Sequence, residues 1–101
     1  LAVLKGMGAA NPGLLSHPFE GYTLTLDIPN RTGLIPFLHE LDRIVLDHGG
    51  KLYLAKDVAA TAETIAAMYP QLGQFQEILG TLDPEQRFNS TMARRLGIVA
   101  S

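Results

Sequence analysis

Cysteine is absent from this 101-residue chain, which removes disulfides, thiolate metal sites and cysteine nucleophiles and leaves the redox compartment undetermined. Basic charge is scarce too. Eight Lys and Arg against ten Asp and Glu give a formal net charge of −2, and Arg94-Arg95 is the one adjacent basic pair. That balance offers no electrostatic case for a nucleic-acid partner. No apolar run reaches the ~18 to 20 residues that cross a bilayer. A phosphate-cradling glycine loop is also missing, because Gly6-Met7-Gly8 lacks a third glycine and the helix it should open. His17, His39 and His48 are too scattered for a metal motif, so no metal is expected. There is no internal repeat and no low-complexity segment.

What is present suits one small domain of α+β class, with strands and packed helices. The hydrophobic share of 47 % is enough for a modest core at this length. Residues 1–7 read as a strand already under way at Leu1, with no leading methionine, so a cut or unobserved start is expected. A loop of Gly, Pro and Asn follows. Residues 22–28 alternate cleanly: Leu24, Leu26 and Ile28 fall on one face, and Thr23, Thr25 and Asp27 on the other. The polar stripe is either a solvated face or the wall of a polar cavity. Lys5 shares strand parity with Leu1, Val3 and Met7 and either snorkels to water or faces a ligand.

Thr32 is expected to cap a helix whose stripe is Leu34, Leu38, Leu41 and Val45, packed on a sheet and ended by Gly49-Gly50. Pro36 fits only near the start of that helix. Residues 51–55 read as a third strand, parallel to the second through a βαβ unit. Asp57 would then cap a helix to about Tyr69, stopped by Pro70. A further helix over 71–79 would bury Leu72, Phe75, Ile78 and Leu79, and a one-turn helix or turn over 83–88 and a short helix over 92–96 close the chain.

Lys56 stands out by position. It follows an apolar strand and precedes a helix start, where ligands of α/β sheets collect, although a lone lysine is ordinarily a solvated group. Tyr53 converges with it only if the strand end bends. His39 beside Glu40 reads as solvated on an exposed helix face, and His48 as a residue compatible with a helix C-terminus.

Ordered blocks run along nearly the whole chain: Leu15-Ser16 and Pro18, Gly21-Tyr22, Glu40-Leu41-Asp42-Arg43, Gly49-Gly50-Lys51-Leu52-Tyr53, Ala55-Lys56-Asp57, Thr61-Ala62-Glu63-Thr64, Ala67-Met68-Tyr69-Pro70, Asp83-Pro84 and Met92-Ala93-Arg94-Arg95-Leu96. With these blocks the sequence resembles the FAD-linked oxidases of the vanillyl-alcohol oxidase superfamily. Within it, the pattern is similar to that of the sugar and aldonolactone oxidases and of the oxidase subunits of decaprenylphosphoryl-ribose 2′-epimerases. The resemblance implies that residues 1–101 are the C-terminal part of a substrate domain with a helical tail. A separate N-terminal domain, absent here, would hold most of the FAD.

On the same resemblance Lys56 is the catalytic residue at the flavin and substrate, and Tyr53 helps build that cavity. Lys5 and Val3 line the substrate pocket. Thr23 and Thr25 stand where the mycobacterial subunits have asparagine and cysteine, so the decaprenyl substrate is not carried over. The expected partners are the missing FAD domain, a small-molecule or lipid-linked sugar, and a second copy of the chain. Location is left open between the cytoplasm and a membrane periphery. The rival expectation is a free-standing α+β ligand-binding or interaction module without redox activity.

Overall fold

A computed structural model describes residues 1–100. Two strands, β1 (Ala2–Met7) and β2 (Gly21–Leu26), form an antiparallel hairpin, and four helices follow. The helices are α1 (Leu34–Asp47), α2 (Ala62–Met68), α3 (Leu72–Leu82) and α4 (Thr91–Arg95). The class is α+β, as expected from sequence. None of these helices is long and apolar enough to cross a membrane.

The third strand does not form, and neither does the βαβ unit. Residues 51–53 are irregular, and a turn follows in which the Lys56 amide donates to the Tyr53 carbonyl at 2.9 Å. The reason lies in where the backbone groups of Leu52 go. Its amide donates to Met68 Sδ at 3.2 Å, and its carbonyl accepts from the Tyr69 hydroxyl at 2.6 Å. Both groups are turned toward the end of α2, which directs the Leu52 backbone into the core rather than along a neighbouring strand.

Helix starts also differ from expectation. Gly33, left-handed at φ 85°, occupies the N-cap of α1, and no side chain caps it, so Thr32 does not take that role. Pro36 is the third residue of α1, where the missing N–H would have had no partner. Thr61, not Asp57, caps α2, its hydroxyl accepting from the Thr64 amide at 3.2 Å. At the far end of α1 the glycine signal holds. Gly49 is left-handed, the Gly50 amide donates to the Val45 carbonyl at 2.8 Å, and a Cβ on Gly50 would lie 2.6 Å from Val45 Cγ1.

The core gathers Ala60, Ile65, Met68, Tyr69, Leu72, Leu96 and Ile98, with Leu15, Val45, Leu52 and Phe75 packed around it. The α1 stripe is half-buried, and its main helical partner is α2 rather than the sheet. Asp42, on the same helix, is buried, and burial pushes its carboxyl up, partly offset by His39. In α3, Leu72 is buried and Phe75 and Leu79 half-buried, but Ile78, expected to be buried, is exposed and lies outside the core cluster. Asp83 closes the 83–88 turn, its carboxylate accepting from the amides of Arg87 and Phe88 at 2.9 and 2.8 Å.

Candidate functional site

The hairpin register sorts the strand residues onto two faces. Val3 lies opposite Thr25 and Lys5 opposite Thr23, and residues directly opposite each other share a face. Four of the residues expected to contact substrate are therefore neighbours on one surface. Thr23 is half-buried, while Val3, Lys5 and Thr25 are exposed. The surface carries a cation, two hydroxyls and an apolar side chain, a set able to orient a polyhydroxylated ligand. The opposite face pairs Leu4 with Leu24 and Ala2 with Leu26.

Lys56 and Tyr53 sit at the two ends of the turn that replaces the third strand, so the bend that their convergence requires exists in the backbone. Both side chains are exposed, Tyr53 by 54 %. The neighbouring Asp57 is engaged elsewhere. Its carboxylate pairs with Arg95, whose guanidinium also donates to the carbonyls of Asp57 and Ala60 at 3.0 and 2.8 Å. Arg95 thus pins the 57–60 turn to α4 and leaves the Lys56 ammonium without a carboxylate partner among the described residues.

A seam joins the hairpin to this loop. Residues 15–19, in the connection between β1 and β2, lie against residues 51–53. Lys51 Nζ donates to the Ser16 carbonyl at 3.4 Å and stands 5.8 Å from the Phe19 ring centre and 5.2 Å from that of Tyr69. The His17 ring packs on Tyr53 with centroids 5.3 Å apart and planes tilted by 50°. Neither ring nitrogen of His17, nor the Ser16 hydroxyl, has a hydrogen-bond partner among the described residues, and all three atoms are shielded from solvent. Burial lowers the His17 pKa and the Lys51 charge adds to this, while the Leu52 backbone opposes it. Burial likewise pushes the Tyr69 phenol up.

Sequence reasoning missed His17 and Arg95 as members of this neighbourhood. His17 stood out in the sequence only as one of three scattered histidines, and nothing local marks Arg95 as the partner of a residue 38 positions away. His39 is corrected as well. It is half-buried, and its Nε2 donates to the Ala59 carbonyl at 2.9 Å, tying α1 to the loop before α2. His48 bonds the Ile44 carbonyl at 2.8 Å, as a residue ending a helix does. A groove of about 470 Å³ lined by Gln76, Asp83, Gln86 and Arg94 contains none of the expected site residues.

The expected site residues thus lie on two surfaces of an α+β domain, an exposed lysine on a turn braced by Arg95 and one face of the hairpin. Comparison with known proteins assigns the domain further. The profile of the D-arabinono-1,4-lactone oxidase family matches residues 27–96, and the chain belongs to that family of FAD-linked sugar oxidases. It is 46 % identical over 99 residues to decaprenylphosphoryl-beta-D-ribose oxidase of Mycolicibacterium smegmatis, covering 98 % of this chain and 22 % of that protein. It is 44 % identical over 97 residues to a Streptomyces coelicolor protein named "Uncharacterized protein in mprA 5'region", covering 95 % of this chain and 26 % of the other. The chain therefore spans about a quarter of the length of these relatives.

Proposed function

We propose that this chain is the C-terminal part of the substrate domain of an FAD-dependent oxidoreductase, which oxidises a carbinol of a sugar, sugar lactone or lipid-linked sugar. The observation that carries this reading is the family match over 27–96, which includes an exposed Lys56 left unpaired by the Asp57–Arg95 pair. The donor set suits one part of the cofactor only. Lys56 is fitted to the electron-rich edge of the flavin ring, whereas the chain has no glycine loop for the diphosphate, which a preceding domain would hold. When bound, FAD supplies the acceptor for the hydride that leaves the carbinol carbon.

Each residue then has a distinct task. Lys56 presents a fixed positive charge where negative charge develops, which favours the transition state over the ground state. Lys5, Thr23 and Thr25 hydrogen-bond substrate hydroxyls along the hairpin face, and Val3 supplies an apolar contact between them. Tyr53 adds a phenol and a flat wall beside Lys56.

The test is made on the complete polypeptide that carries this chain. It is expected to purify yellow, and its absorbance should bleach anaerobically with at least one of an alditol, an aldono-1,4-lactone or a polyprenylphosphoryl pentose. The isolated 101-residue chain should bind FAD weakly or not at all. A colourless complete polypeptide that takes up no FAD sinks the functional reading, and tight stoichiometric FAD binding by the isolated chain overturns the division of domains.

A further inference from the structure

We propose that His17 is a positioning residue for the substrate cavity: as a neutral imidazole it braces the Tyr53 ring and ties the hairpin connection to the loop that carries Lys56. The inference rests on the functional reading above for what Tyr53 and Lys56 do, but its geometry stands apart from that reading.

The packing of His17 is unusual for its residue type. It occupies a seat against an aromatic ring, with both nitrogens shielded and neither bonded among the described residues. Phenylalanine would fill such a seat without leaving polar atoms unpaired. The imidazole adds one property that phenylalanine lacks, which is the ability to take up a proton. The charged group facing it is Lys51, and Tyr53 and Tyr69 are the other titratable rings of the cluster. No carboxylate pairs with either His17 or Lys51 among the described residues. An imidazolium at this position would meet a like charge and a desolvated seat, offset only in part by the Leu52 backbone.

Protonation should therefore expel the ring and release Tyr53. Because the folded state favours the neutral form, the brace is complete above the ordinary histidine value of about 6.5 and is lost as pH falls below it. The consequence for the proposed reaction is a pocket that holds its substrate well near neutrality and loosens in acid. Lys51 keeps the seam closed in the meantime through Ser16, Phe19 and Tyr69.

Two measurements on the complete polypeptide decide the matter. With ring-labelled tyrosine, the NMR signals of Tyr53, assigned by Tyr53→Phe, should shift with a midpoint below about 6.5, and His17→Phe should abolish that shift. In steady-state assays, His17→Ala should raise KM for the oxidised sugar several-fold while largely sparing kcat, and His17→Phe should flatten the rise of KM in acid. Tyr53 signals indifferent to pH, or titrating identically in His17→Phe, would overturn the proposal. If His17→Ala does not fold, His17→Phe carries both readouts because it fills the seat. If no sugar is oxidised, the functional reading fails, and the tyrosine titration still decides whether His17 braces Tyr53.

Discussion

Lys56 gains its significance from what its neighbours do. An exposed ammonium next to an aspartate has a carboxylate within reach, but that of Asp57 is held by Arg95. The charge of Lys56 is thereby free to act on a group brought from outside the chain. We expect Lys56→Met in the complete enzyme to slow flavin reduction while FAD content stays near wild type. A preorganised cation worth ~3 kcal/mol in the transition state corresponds to roughly a hundredfold in rate. Lys5→Met, on the hairpin face, should instead raise the apparent substrate requirement. Stopped-flow reduction of flavin-loaded variants separates the two, and wild-type reduction by the Lys56 variant would return that lysine to the ordinary surface. Lys56 was visible in the sequence because an apolar run ends just before it. Arg95 was not, since an ion pair between residues 57 and 95 leaves no periodic trace.

At the scale of elements, the strand expected over 51–55 illustrates how tertiary contacts override a local pattern. Leu52 and Leu54 alternate with more polar neighbours, which is a strand signature, and both do pack against the core. What decides the conformation is the pair of bonds from Leu52 to Met68 and Tyr69, which no reading of residues 51–55 alone contains. Signals that act locally were more legible, as with the glycines ending α1 and the alternation of β2. The pairing of β1 with β2 sets Lys5 against Thr23, yet the long connection between the strands carries no short turn motif that would announce a hairpin. Side-chain anchors now hold the Lys56 loop at both ends, Tyr69 on one side and Arg95 on the other. Tyr69→Phe should cost about 1 kcal/mol and leave the Leu52 carbonyl unpaired, and Arg95→Ala about 1 to 3 kcal/mol. Amide hydrogen exchange should quicken over 52–56 in the first variant and over 56–60 in the second. Unchanged exchange in both would mean that the loop is held by packing alone.

Taken whole, the molecule has its core where α2, the start of α3 and the C-terminal segment meet, and the hairpin lies outside it. One hairpin face remains apolar and uncovered: Leu4 is 69 % exposed, Leu24 59 % and Tyr22 74 %. Scattered surface leucines are ordinary, but these three and Leu26, on one face of a two-stranded sheet, form a contiguous apolar patch of the kind that seeks a partner. A two-stranded sheet is also marginal by itself, and its outer edges offer unpaired backbone groups. The chain spans 22 % and 26 % of its two relatives, and on the proposed reading the remainder of the oxidase would cover this face. Produced alone, the 101-residue chain should therefore cover it with another copy of itself and sediment as a dimer or larger species, with residues 1–7 at or near the contact. Replacing the cross-strand pair as Leu4→Lys with Leu24→Glu puts opposite charges on that patch in a position where they can pair across the strands. The double variant should sediment as a monomer with unchanged helical circular dichroism, because the α-helical core does not draw on either residue. A wild-type chain that stays monomeric at high concentration would show that the hairpin needs no cover, and the face would then be a solvated surface rather than a contact with the rest of the enzyme.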